Sequence, residues 1–171
     1  RVRGYLARLE AGHRLTGVAQ AQLEALLSDL LGDPRWEADL TLTRADLPAV
    51  RADLPAADVQ GRLSTSGDLG EARVQGSLSG TAPDLPDFGR FDLDLDVTWS
   101  GRVLDIVALE LKEEESGALL TADGELDLSG EVGRFDVGAA WERLRWPLSG
   151  TPLAEARQGK LDAAGTFEAY A

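Results

Sequence analysis

Phe91-Asp92-Leu93-Asp94-Leu95-Asp96-Val97-Thr98-Trp99 alternates without interruption, every second residue large and apolar and every residue between them Asp or Thr. Successive side chains on a strand point to opposite faces, so this stretch predicts a strand with one apolar face and one acidic face. The same period of two recurs from Trp36 onward. It predicts about eight strands, over 36–43, 58–64, 72–79, 90–99, 103–111, 118–128, 133–144 and 160–170. Turn clusters such as Ser66-Gly67-Asp68, Ser100-Gly101 and Ser129-Gly130 separate them, and Trp99-Ser100-Gly101-Arg102 is short enough for a tight hairpin. Residues 44–56 and 81–89, rich in Pro, Asp and Ala, read as irregular connections.

The lead-in has a different period. Leu23, Leu26, Leu27 and Leu30 fall at i, i+3, i+4 and i+7, and Gly32-Asp33-Pro34 follows as a stop signal, which predicts helix over 1–31, weakened by Gly12 and Gly17. The expected organisation is one domain: a helical lead-in, 1–31, packing on or capping a mainly β sheet over 36–171. A Gly-x-Leu element recurs at Gly61-Arg62-Leu63, Gly76-Ser77-Leu78, Gly124-Glu125-Leu126 and Gly159-Lys160-Leu161. Its unequal spacing excludes a solenoid of fixed rung and suggests a strand start repeated in an open meander.

Charge narrows the partners. The formal net charge is −13 over 171 residues, yet the first fourteen carry four arginines against one glutamate. So acidic a chain offers phosphate backbones little, and nucleic acid is not an expected partner. The absence of cysteine removes disulfides and thiolate metal sites. No apolar run approaches the ~20 residues of a membrane-spanning helix. No Met stands at position 1 or elsewhere, which reads as a segment of a longer polypeptide.

Catalytic chemistry is not legible. His13 is the single histidine, with no paired carboxylate motif around it, and there is no phosphate-binding glycine loop, nucleophile elbow or zinc spacing. Asp92, Asp94 and Asp96 share one strand face about 6.6–6.8 Å apart but lack the turn glycine and later Glu of a calcium loop. They and Lys112-Glu113-Glu114-Glu115 read as solvated surface. No enzyme activity, cofactor or metal is expected.

The C-terminal third carries a resemblance. Gly133-Arg134-Phe135-Asp136-Val137-Gly138-Ala139-Ala140-Trp141 leads into Leu144-Arg145-Trp146-Pro147-Leu148. Then come Gly159-Lys160-Leu161, Gly165-Thr166 and a closing Tyr170. An amphipathic strand ending in an aromatic, then Leu-Arg-Trp-Pro-Leu, then Gly-x-Leu-x-x-x-Gly-Thr resembles the repeating body of the TamB family, within the wider AsmA-like group. The resemblance covers about 57–171. It implies an open, curved antiparallel or mixed sheet, a β-taco-like trough, in a periplasmic bridge anchored in the inner membrane. Phospholipid acyl chains, and an outer-membrane barrel of the BamA type reached through other parts of the parent chain, are the partners it implies. Transport of phospholipid, assistance to outer-membrane protein assembly, or both are the implied functions. The implied apolar groove maps onto Phe91, Leu93, Leu95, Val97, Trp99, Phe135, Val137, Ala139 and Trp141. The alternation itself leaves a second reading open: a structural or adhesive surface module with a dry, closed core.

Overall fold

In the computed structural model, which describes residues 8–15, 19–46, 57–81, 89–146 and 153–167, each period-two segment is a strand. The strands are β1 (Arg8–Leu15), β2 (Ala19–Ser28), β3 (Arg35–Asp46), β4 (Asp58–Gly67) and β5 (Glu71–Thr81). They continue as β6 (Arg90–Ser100), β7 (Val103–Glu113), β8 (Leu119–Asp127), β9 (Gly133–Trp146) and β10 (Ala154–Phe167). Each pairs antiparallel with its sequence neighbours, in the order β1 to β10, and the sheet does not close. All eight strands expected after Trp36 are present, with ends shifted by a few residues. Tyr170, and most of the connections expected at 44–56 and 81–89, lie outside the described residues; 44–46 and Thr81 are strand.

The helix expected over 1–31 is corrected: its described part is the β1–β2 hairpin, with His13 opposite Leu23. Leu, Ala, Gln and Glu are good helix formers, but intrinsic preference is a weak prior. The same segment also alternates, as Leu9-x-Ala11-x-His13 and Ala21-x-Leu23-x-Ala25-x-Leu27. That phase lets β2 place Leu23, Ala25 and Leu27 beside Leu40, Ala38 and Trp36 of β3. The ladder with β3 overrides the local preference, and Leu26, part of the presumed helical stripe, falls on the other face beside Glu37.

Two bulges keep the faces in phase. In β7 the apolar residues are Leu104 and Ile106, then Leu109 and Leu111, a change of parity that one extra residue must absorb. The register accordingly shifts between Ile106 and Leu109, with Val107 and Ala108 facing Asp123. In β3 the shift between Leu42 and Ala45 does the same around Thr43 and Arg44. The Ser100–Val103 hairpin is as tight as expected, with Gly101 at φ 59° in its loop.

The Gly-x-Leu elements are not strand starts, as the sequence suggested, but lie within strands, Gly and Leu on the apolar face. Their register explains them. Gly61 faces Leu78 while Leu63 faces Gly76, so two antiparallel copies exchange a small residue for a large one in both directions. Gly124 likewise faces Val137, and Gly159 faces Trp141.

Packing is shallow. Val59 and Ala57 form a small buried cluster with Leu42, Leu78 and Phe91 at one end of the sheet, and no large side chain among the described residues is fully buried. The chain exposes 12094 Å², against about 8,100 Å² for a compact monomer of this mass. The described residues form one layer without a second to cover it.

Candidate functional site

Following the pairings across the sheet shows what the alternation builds. One row runs from Ala21 through Leu42, Gly61, Leu78, Leu93, Leu111 and Leu120 to Trp141 and Gly159. The next contains Leu95, Leu109, Ala122 and Ala139; the next Val97, Ile106, Gly124 and Val137; the next Trp99, Leu104, Leu126 and Phe135. Each of these rows extends across all ten strands. The side chains are half-buried, not sealed, and several stand open: Trp99 is 44% exposed, Leu120 37% and Leu161 55%. Ten strands at 4.7–4.9 Å spacing make this surface about 43 Å across the strands.

All nine residues expected to line a groove lie on this face. Phe91, Leu93, Leu95, Val97 and Trp99 come from β6, and Phe135, Val137, Ala139 and Trp141 from β9. The two strips are separated by β7 and β8, whose own leucines and Ile106 occupy the same rows. The sequence reading missed that filling. Its signal was the alternation on either side of the β7 bulge, which the change of parity hides.

Aromatics and glycines are matched. The Trp141 ring lies over Gly159, where an added Cβ would come within 2.1 Å of it; Phe135 covers Gly165 similarly. The Phe135 and Phe167 rings stand 5.0 Å apart, tilted by 44°. Trp99 is held near the end of β6 by an indole N–H donated to the Gly101 carbonyl at 2.9 Å. The Trp141 indole N–H is buried against this packing with no acceptor.

The opposite face is polar. Arg73 donates from Nε and Nη2 to the two carboxylate oxygens of Asp96 at 2.8 and 2.5 Å, and Gln75 donates to Asp96 at 2.9 Å. These bonds, the arginine's first, hold the Asp96 carboxyl below its ordinary value, and the same partnership raises Arg73. Ser77 donates to Asp94, and Ser64 to Asp39 at 2.6 Å. Asp92, Asp94 and Asp96 thus lie on the polar side as expected. Among the described residues no cluster of three or more histidines, aspartates or glutamates is arranged to hold a metal ion.

Glu113 departs from the sequence reading. It was expected in a solvated turn, but it is 3% exposed. Burial alone would raise its pKa. Hydrogen bonds from the Ser116 hydroxyl, the Ser116 N–H at 2.6 Å and the Glu115 N–H at 2.9 Å outweigh that, and the carboxyl is held below its ordinary value. It ties the turn between β7 and β8.

Comparison with family models, with curated proteins and with solved structures finds no match.

Proposed function

We propose that this chain is a segment of a periplasmic bridge of the TamB-like kind, and that its apolar face forms a trough carrying phospholipid acyl chains between membranes. The observation that carries this reading is the set of mainly apolar rows across ten strands, interrupted by Thr65 and His13, half-exposed and with no second layer among the described residues. Acyl chains gain about 0.8 kcal/mol per buried CH₂, so such a face holds lipid without specific head-group contacts. The acidic outer face keeps the open sheet soluble. Assistance to outer-membrane protein assembly belongs to the same reading, since an amphipathic strand presents the same apolar stripe as a lipid tail. Docking to an outer-membrane barrel of the BamA type would fall to other parts of the parent chain.

The rival, a structural or adhesive module with a dry closed core, needs a covering layer, and the described residues form one open sheet. Lipid extraction and mass spectrometry of the gently purified chain separate the two. Phospholipid retained by the native chain and lost from folded Leu95→Asp or Val97→Asp variants supports the trough. A native chain free of lipid, or folded variants with unchanged occupancy, returns the structural module to first place.

A further inference from the structure

The apolar face turns charged where β9 leads toward β10. One row starts as Ala45, Val59, Gly80 and Phe91, reaches Glu113 of β7, and continues through Ala118 to Arg143 of β9 and Arg157 of β10. Arg143 and Arg157 lie two residues beyond the Trp141–Gly159 pair and in step with it. The register sets them across from each other, between the Leu144–Ala156 and Glu142–Gln158 pairs. Among the described strands only β9 and β10 carry Arg or Lys in step with the apolar face; elsewhere the basic strand residues fall on the polar side, as Arg73 and Lys112 do.

Two like charges directly opposite each other destabilise a sheet. A chain with 30 acidic residues against 17 basic ones has acids enough to avoid this. It does so at the next pair in step, where Glu155 stands across from Arg145. Arg143 has no acid on either flank, with Ala118 on the β8 side and Arg157 on the β10 side. Glu113, the acid of that row, is occupied by Ser116 and the Glu115 N–H. Both arginines are exposed, and among the described residues neither makes an ion pair. Arg143 also holds a left-handed backbone, with φ 52°, and its guanidinium lies 3.5 Å from where a Cβ on Gly117 would stand. The Trp141 indole N–H, one pair along, has no acceptor either. Strain, repulsion and unmatched donors thus meet at one place on the face.

A phosphate group satisfies all three conditions of charge, geometry and acceptor count. Guanidinium forks bind phosphate oxygens in pairs, and an anion between two of them removes their repulsion. We propose that Arg143 and Arg157 form a phosphate-binding end to the trough, occupied by the head-group phosphate of a phospholipid whose acyl chains run along β9 and β10 toward Phe135 and Phe167. From Trp141 to Phe135 the strip spans about 20 Å at ~3.4 Å per residue. One leaflet's hydrocarbon, half of the bilayer core, is roughly 15 Å deep. The inference rests on the lipid reading and adds to it an orientation and a preference for phosphate.

Equilibrium binding of monomeric dioctanoyl phosphatidylglycerol and of dioctanoylglycerol to the full chain, followed by tryptophan fluorescence, tests it. The native chain is expected to bind the phospholipid several-fold more tightly at low salt, despite its net charge of −13, and to lose that preference as salt rises. Arg143→Gln and Arg157→Gln should each remove most of the preference, leave the affinity for dioctanoylglycerol unchanged, and raise the urea midpoint by relieving the like-charge pair. Far-UV circular dichroism identifies a variant that has lost the sheet, and the salt-dependent preference of the native chain then carries the test. Equal affinity for the two lipids, or folded variants that keep the preference, overturns the inference and leaves the lipid reading standing. Equal affinity together with inorganic phosphate that stabilises the native chain but not the variants overturns the head-group assignment and makes free phosphate the occupant. A chain that binds neither lipid overturns the lipid reading, and this inference with it.

Discussion

Single residues separate the positions where this sheet has no slack from those where it has plenty. Gly124 sits at φ 144°, and a Cβ there would approach the Asp136 carbonyl oxygen to 2.3 Å, whereas a Cβ at Gly12 meets nothing within 4 Å. Strain and overpacking cost about 1–3 kcal/mol each, so Gly124→Val should lower stability by roughly 2 kcal/mol or more in urea unfolding. Gly12→Ala should be neutral or slightly stabilising, since it restricts mainly the unfolded chain. Glu113 gives a pH signature. Its carboxyl is held below the ordinary glutamate value in the folded chain, so its contribution is present above that value and is lost as pH falls through the depressed one. The urea midpoint should fall from about pH 5 downward. Glu113→Gln should flatten that fall; an unchanged slope would show that the bonds to Ser116 and Glu115 do not govern it.

At the scale of elements, the outcome turned on which period each segment obeys. From Trp36 on, alternation was legible because nearly every strand places Asp, Ser, Arg or Thr between its apolar residues. The β1–β2 hairpin was not, because Leu23, Leu26, Leu27 and Leu30 satisfy a helical stripe while Ala21, Leu23, Ala25 and Leu27 satisfy a strand. Only the neighbouring strand's Trp36, Ala38, Leu40 and Leu42 decide between them, and a single segment's periodicity does not contain that information. The bulges obey the same logic. Deleting Val107 alone leaves Leu104, Ile106, Leu109 and Leu111 in unbroken alternation and should be tolerated, whereas deleting Val107 and Ala108 together puts Leu109 and Leu111 out of phase with Leu104 and Ile106. The doubly shortened β7 must throw one pair onto the acidic face, which should cost about 3 kcal/mol from the two side chains turned out. Val107→Lys should instead leave stability within about 0.5 kcal/mol, because Val107 is 46% exposed and borders Asp105, Asp123 and Asp136. Equal losses for the double deletion and Val107→Lys would mean that phase does not decide which face β7 buries.

The described residues form a single amphipathic layer, and its stability and its proposed work draw on the same face. The shared face of the nine candidate residues was legible because β6 and β9 alternate apolar and polar or small residues without a break. Their joining into one surface was not, because that depends on β7 and β8 entering the same rows after a change of parity. The central claim is that this surface is reachable by lipid. Photocrosslinking tests it most directly, with the reactive group at Leu95 on the apolar face and, as control, at Asp94 on the acidic one, in the presence of phospholipid. Lipid adducts at Leu95 and none at Asp94 are the predicted result. Crosslinks from Leu95 confined to the protein itself, with no lipid attached, would contradict the account.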